Sequence, residues 1–396
     1  VRNFGKSYLG MTARFHKSWA DFGGFKPEAA LKFEVTQMLA HGAGCSIGDQ
    51  LHPRGRLDRA AYDLIGRVYG YAEACEPWTD GATALTDIAV LRPSGQTRFD
   101  DAGNSHDGVT RMLVQLKQQF NHLDAEMDFS GYQVVVLPDS VVVDENLAAR
   151  LRVYLRHGGS LLLSGTSGLR PDLTPALAAM GVQVHGPSPF QTTYLRIPEG
   201  MVKGVAAADH VLYERGVRMT AAHGAKALCR VVEPYFDRNY QHFSSHAQTP
   251  PRKQASRYAA AIRSGRIITI PFPIFQAFGT HGNLPYRQLV GHCLDLLLPE
   301  PLVRVQTPST TEVTVMRQKA RTVVHFLQFV AERRGTIDMI EDVVPLRDVP
   351  VSLKVGKAPR RVYLAPSGAA LSFHIARGRL HTLVPVIDGH QMLVVE

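Results

Sequence analysis

Apolar and polar positions change their period along the chain, and those changes divide it into three parts. Residues 6–15, KSYLGMTARF, have the composition of a strand and run into the polar and aromatic cluster His16-Lys17-Ser18-Trp19-Ala20-Asp21. Pro27 then opens a helix whose apolar residues Ala30, Leu31, Phe33, Val35, Met38 and Leu39 recur at near-helical spacing until His41-Gly42 stops it. A short strand over residues 43–47 leads into the polar loop GDQLHPRG, and residues 59–76 predict a second helix closed by Pro77. Strand, helix, strand, helix is the order of a parallel α/β fold, in which polar residues at the carboxyl ends of strands form the site.

A second series begins at residue 87. It predicts a strand over 87–91, a polar loop through His106, a helix over 107–123 and a strong strand over 132–137. Asp144 caps a helix through residue 157, with Leu147, Leu151, Val153 and Leu155 inward, and Gly158-Gly159 turns into a strand over 160–163. A helix near 175–180 and a strand over 182–185 follow, then an irregular polar-aromatic stretch from 187 to 254. The run IITIPFPIF reads as a buried strand and residues 285–298 as the closing helix. This rhythm predicts a doubly wound, flavodoxin-like sheet. From residue 303 the period becomes two: TEVTVMRQ, RTVVHFLQFV, VSLKV, RRVYLA, LSFHI, RLHTLVPVI and QMLVVE are the short alternating runs of an all-β sandwich. The expected fold class is thus α/β: a remnant of a (β/α) barrel over 1–84, a flavodoxin-like domain over 85–302 and a small β-sandwich over 303–396.

Composition narrows the class. With 45% hydrophobic and 20% charged residues in 396, the chain has the balance of a soluble globular protein, which excludes a mainly disordered, collagen-like or coiled-coil chain. A net charge of +9 comes from basic residues interleaved with acids, a poor footprint for nucleic acid, and no nucleic-acid partner is expected. Cys45, Cys75, Cys229 and Cys293 lie far apart without metal-ligand spacing and read as thiols in a reducing, cytoplasmic setting. No apolar run reaches the roughly 18 residues of a membrane span, and no basic-then-apolar leader is visible, so no membrane partner is expected. Because Val1 leads almost at once into a strand-like stretch, the front of a larger protein is expected to be missing.

The densest polar constellation is RFHKSWADFGG with GDQLHPRG, each directly after a parallel-type strand, so both loops should emerge at one rim. A sugar site needs an aromatic plate for the ring's apolar face and short polar groups for its hydroxyls; His16, Trp19, Asp49, Gln50 and His52 supply those types. Equally, Trp19 could pack the end of a barrel while His16 and Asp49 cap helices. Asp21 and Asp49 form a candidate acid/base pair for glycoside hydrolysis, although an N-cap or an Arg partner is the commoner fate of a lone Asp. No GxSxG elbow is present, and Ser164 and Ser167 in LLLSGTSG do not make a triad. Gly158-Gly159 and Gly165 lack the spacing of a phosphate cradle. His242 and His246 are four apart but have no HExxH glutamate, and the basic stretch PPRKQASR reads as a solvated loop.

The segments MTARFHKSWADFGG, AHGAGCSIGDQLHPRGRLD and YDLIGRVYGYAEACEPW together resemble the end of the catalytic barrel in glycoside hydrolases related to bacterial α-L-fucosidases. YQVVVLPDSVVVDENLAARLRVYLRHGGSLLLSG and GRIITIPFPIFQAFGTHGNLPYRQLVGHCLDLLLPEPLV resemble the β-galactosidase trimerisation domain, a flavodoxin-like module that joins subunits around a threefold axis. CRVVEPYFDRNYQHFSSHAQTPP is also similar to these fucosidase-like proteins. The resemblance implies a cytoplasmic, exo-acting retaining glycosidase that cleaves a terminal sugar such as fucose or galactose with two carboxylates and no metal or organic cofactor, assembled as a homotrimer. It also implies that only the last two strand-helix units of an eight-unit barrel are present, with the nucleophile upstream. Where β-galactosidases of this architecture carry a nucleophilic Glu, RFHKSWADFGG offers His16, Trp19 and Asp21, which favours fucosidase-like chemistry. Two barrel units alone should leave apolar strand faces uncovered and prone to associate. A noncatalytic assembly or carbohydrate-binding protein is the alternative.

Overall fold

The computed structural model describes residues 1–92, 103–243 and 245–396, so most of the loop expected before His106 lies outside the described residues. The chain forms two compact units. The first joins Val1–Thr86, Lys117–Gln119 and Pro301–Glu396; the second joins Asp87–Leu116 and Phe120–Glu300. The first and third expected segments therefore share one unit instead of folding apart.

In the first unit, β1 (Leu9–Ala13) pairs in parallel with β2 (Gly44–Gly48), in register from Leu9 opposite Gly44 to Ala13 opposite Gly48. Helix α1 (Glu28–Ala40) connects them, and α2 (Arg59–Thr79) follows, its first turn held by the Asp58 carboxylate on the Ala60 and Ala61 amides. Pro77 does not end α2: the helix runs on to Thr79 and forgoes the one amide bond that residue 77 would have made. The short β3 (Thr83–Ala84) then joins a five-stranded sheet by pairing Ala84 with Met316. Period two sorts that sheet's faces. Val313, Val315, Val324 and Phe326 pack against the four-stranded sheet carrying Val349, Val351, Leu380 and Val384, whereas Met316, Val323, Met392 and Val394 meet Leu31, Val35, Leu64 and Val68 of α1 and α2. The helices thus bury their apolar stripes on the β-rich tail.

Under α1 and α2 runs a buried chain of polar groups. His325 Nδ1 lies 3.0 Å from His390 Nε2, and His390 Nδ1 lies 3.0 Å from the Tyr71 hydroxyl. Burial drives both imidazoles down, His390 to about 3 and His325 well below its ordinary value, each helped by a neighbouring positive or titrating group. His325 Nε2 has no partner among the described residues, so an added proton would find no acceptor. The unfolded chain therefore binds more protons than the folded one between about pH 3 and 6.5, and stability is lost as pH falls through that window. Acidification from pH 7 to 4 is expected to cost this unit roughly 3 kcal/mol through His390 alone. Urea midpoints of His390→Gln should fall less steeply with acid than those of the unaltered chain; parallel slopes would discard the idea.

One face of β1 is open. Gly10 lies against Met38 and Thr12 bonds Glu34, both on α1, so Leu9 and Met11 point away from it and remain 65% and 64% exposed. We expect Leu9→Lys with Met11→Lys to reduce concentration-dependent self-association in sedimentation velocity; an unchanged distribution would mean that this face is not the adhesive one.

The second unit is built on a nine-stranded sheet. Strands β4 (Ile88–Arg92), β5 (Phe120–Asp124), β6 (Val134–Leu137) and β7 (Ser160–Ser164) are parallel, in the order β7-β6-β4-β5. Helix α3 is Gly103–Gln115. The helix expected through residue 123 stops early because Lys117 adopts φ +61°, after which Phe120 starts a strand. Helix α4 (Glu145–Arg156) follows Asp144 as expected, but it buries Leu147, Ala148, Leu151 and Tyr154 and turns Val153 to solvent. The expected helix near 175–180 is a single 3₁₀ turn, Ala178–Met180.

The stretch read as irregular holds strands. β8 (Val182–Pro187) pairs with β11 (Val217–Ala221), while β9 (Thr193–Arg196), β10 (Asp209–Leu212), β12 (Lys226–Val232) and β13 (Ala259–Ser264) extend the main sheet antiparallel. β14 (Ile267–Ile270) lies parallel to β7 and next to β13, and IITIPFPIF bends after Ile270 into α5 (Ile274–His281) instead of continuing as a strand. Helix α6 (Leu284–Leu297) closes the unit. Alternate residues of β4 and β6 face opposite layers: Ile88, Val90, Val134 and Val136 meet α3, α5 and α6, and Ala89, Leu91, Val135 and Leu137 meet α4. Among the described residues, no helix is long and apolar enough to cross a membrane.

Candidate functional site

The loops after β1 and β2 leave the same end of a parallel pair, and a buried cation ties them together. Arg14 is fully buried; its Nε donates to Asp49 Oδ1 at 2.8 Å and its Nη1 to the Gly24 carbonyl at 3.2 Å. The guanidinium lies over Phe15 and Phe25, 4.2 and 4.7 Å from the ring centroids, so its faces are covered by aromatics and its edge by oxygens. Asp49 is nearly as buried, and its Oδ1 also accepts the Gln50 amide at 2.8 Å. Sequence reasoning named Asp49 without its partner. Arg14 falls inside the strand expected over 6–15, and nothing in the sequence says that position 49 faces it.

Trp19 is 51% exposed. Its Nε1 donates to Gln50 Oε1 at 2.8 Å, and its ring stands edge-on to Phe15 at 5.4 Å. The other side of the indole lies against Gly48, where an added Cβ would sit 2.5 Å from Cζ3, so only glycine lets the ring approach the end of β2. The geometry brings Trp19, Gln50 and Asp49 into one chain of contacts, Trp19 to Gln50 and Gln50 to Asp49, anchored on Arg14.

The remaining candidates have local partners. Asp21 Oδ2 accepts the Lys17 amide at 3.3 Å and closes the turn that carries Trp19. The His16 amide donates to the Gly24 carbonyl at 3.3 Å, and its half-buried imidazole has no hydrogen-bond partner among the described residues. His52 packs edge-on to Phe22 at 5.4 Å, and its Nδ1 accepts from both the amide and the Nε of Arg54 at 3.1 Å. A second polar cluster escaped the sequence reading: Lys26 Nζ donates to both Glu34 carboxylate oxygens at 2.8 Å and to Thr12 Oγ1 at 3.0 Å.

Elsewhere, Ser164 and Ser167 do structural work. The Ser164 hydroxyl donates to Asp139 and accepts the Asp139 amide, and Ser167 Oγ accepts the Val141 amide. His242 and His246 lie outside any helix, His242 in a turn capped by Asn239. The four cysteines are free thiols.

The chain has clear relatives. It is similar over its whole length to alpha-L-fucosidase isoenzyme 2 from Paenibacillus thiaminolyticus, at 36% identity and a TM-score of 0.95, and it spans 61% of that protein's length. The beta-galactosidase from Bacillus circulans sp. alkalophilus shares the fold at 13% identity and a TM-score of 0.64, over 98% of this chain and 55% of that one. The beta-galactosidase from the haloarchaeon Halorubrum lacusprofundi does so at 14% identity and a TM-score of 0.58, over 99% and 53%. No curated protein matches the chain. The family described as the beta-galactosidase trimerisation domain matches residues 111–177. The chain is thus similar over its whole length to an α-L-fucosidase and, over residues 111–177, to the β-galactosidase trimerisation domain.

Proposed function

We propose that this chain supplies part of the sugar-binding rim of an exo-acting, fucosidase-like glycosidase that removes a terminal sugar with two carboxylates. The observation that carries the reading is the exposed indole of Trp19, fixed by Gln50 and by Gly48 at the carboxyl end of a parallel strand pair. A plate held in this way stacks on the apolar face of a pyranose without losing rotamer freedom on binding. His16, Gln50 and His52 hydrogen-bond sugar hydroxyls in this reading. Asp49, bound to Arg14, positions Gln50, which leaves Asp21 as the carboxylate of this rim without a cationic partner among the described residues. In the same proposal the second unit is a flavodoxin-like module of a cytoplasmic homotrimer, and the paired sheets of the tail are a β-sandwich.

The test is hydrolysis of 4-nitrophenyl α-L-fucoside and β-D-galactoside by this chain and by the product of its complete coding sequence. Turnover of the fucoside by the complete product, with kcat/KM about 10- to 100-fold lower in Trp19→Ala and the loss mainly in KM, is the expected result. An unchanged KM would remove Trp19 from the site. Binding of sugar without turnover by either form would favour the second reading, a noncatalytic carbohydrate-binding or assembly protein, which the engagement of Asp49 with Arg14 suits.

A further inference from the structure

The second unit contains a pocket of its own. It has a volume of about 360 Å³ and lies at the carboxyl ends of β6, β7 and β14, where Ser140, Thr166, Gln276 and Arg215 line it together with the backbone of Gly165 and Gly216. In the strand order β14-β7-β6-β4-β5 the direction of travel reverses between β4 and β6, and Ser105, beyond β4, with Asp139 and Ser140, beyond β6, sets one side of the pocket at that switch point, where open α/β sheets place ligands.

The floor of the pocket is a carboxylate whose oxygens are already engaged. Asp139, just past β6, is held at φ +55°. Its Oδ1 accepts from Ser164 Oγ at 2.6 Å and the Phe275 amide at 3.4 Å, and its Oδ2 from Ser105 Oγ at 2.6 Å and the Gln276 amide at 2.7 Å. All four donors point at this one carboxylate, which occupies the amino end of α5 where a ligand anion would otherwise sit. Burial raises its pKa while the four hydrogen bonds lower it, and those bonds occupy both oxygens. Gly165, at φ +58°, closes the wall; a Cβ there would sit 2.3 Å from the Asp139 carbonyl oxygen.

What remains is one exposed cation among uncharged polar groups. Among the described residues, Arg215 has no ion-pair partner and Asp139 is the only acid in the lining. Ser140, Thr166 and Gln276 offer hydroxyls and a carboxamide, and the apolar lining is limited to Val217, Pro271 and Pro273. The volume falls at the lower end of the range of small-ligand sites. We infer that this pocket binds a small polyhydroxylated carboxylate, a sugar acid, with Arg215 pairing its carboxylate and Ser140, Thr166 and Gln276 bonding its hydroxyls.

Isothermal titration of the full chain with D-galacturonate, D-galactose and inorganic phosphate tests the inference. Saturable galacturonate binding, at least about tenfold tighter than that of galactose or phosphate, is expected. Arg215→Ala and, separately, Ser140→Asp should each weaken it at least about tenfold, while Trp19→Ala leaves it unaltered. No heat with galacturonate, equal binding of phosphate or galactose, or full affinity in Arg215→Ala overturns the assignment. Loss of binding in Trp19→Ala would also overturn it, by moving the ligand to the first unit. Because the readout is binding alone, the result stands apart from whether the chain hydrolyses glycosides.

Discussion

Replacing Arg14 by methionine is expected to destabilise the first unit by about 3–5 kcal/mol, the cost of leaving a buried carboxylate without its cation. Arg14 and Asp49 are both withdrawn from water, with side chains 1% and 8% exposed. Methionine can keep much of the packing against Phe15 and Phe25 but gives Asp49 and the Gly24 carbonyl nothing to bond. The measurement is convenient, since the two tryptophans of the chain, Trp19 and Trp78, both belong to this unit, so indole fluorescence during urea unfolding follows it selectively. Arg14→Met combined with Asp49→Leu should recover most of the loss, because replacing both members of a buried pair removes the unpaired charge. If the single variant unfolds at the original urea concentration, water reaches Asp49 and the buried-pair account is wrong.

Asp139→Asn should destabilise the second unit by about 1–3 kcal/mol and Asp139→Ala by more. Asparagine tolerates the left-handed backbone at this position, so the loss would not come from strain. It comes from donors. Each carboxylate oxygen accepts one serine hydroxyl and one backbone amide, and although a hydroxyl can rotate, an amide cannot. Whichever way the new carboxamide turns, its NH2 meets the Phe275 or the Gln276 N–H. Differential scanning calorimetry of the whole chain, where two units can give separate transitions, would assign the loss; a shift confined to the other transition would contradict this argument.

The parts legible in the sequence were those whose period one face of burial dictates. The β-rich tail and the helix after Asp144 follow from alternation and capping, and the strand over 132–137 from a short run of β-branched residues. Errors fell where a local backbone event decides the outcome. Lys117 in the left-handed region ends α3 and frees Phe120–Asp124 to become an edge strand, and its mixed sequence FNHLD suits a half-buried edge but carries no alternation strong enough to announce it. IITIPFPIF is uniformly apolar because it is buried on every side, so its sequence could not show the change from strand to helix at Pro271-Phe272-Pro273. At the rim, the residue types of Trp19, Asp49 and Gln50 were readable, while Arg14 was hidden as a strand residue, since pairing between positions 14 and 49 depends on the parallel register of β1 and β2.

The joining of β3 to Thr311–Gln318 has a consequence for biogenesis. The partners that cover α1 and α2 are encoded more than two hundred residues downstream, beyond the whole of the second unit. At ribosomal rates their arrival trails the first helices by roughly ten to seventy seconds. During that interval Leu31, Val35, Leu64 and Val68 have no sheet to rest on, whereas the intervening unit already has all its own strands. Nascent chains stalled once Glu300 has left the ribosomal tunnel should therefore hold a protease-resistant core from Asp87–Glu300 and an earlier segment that holdase chaperones bind.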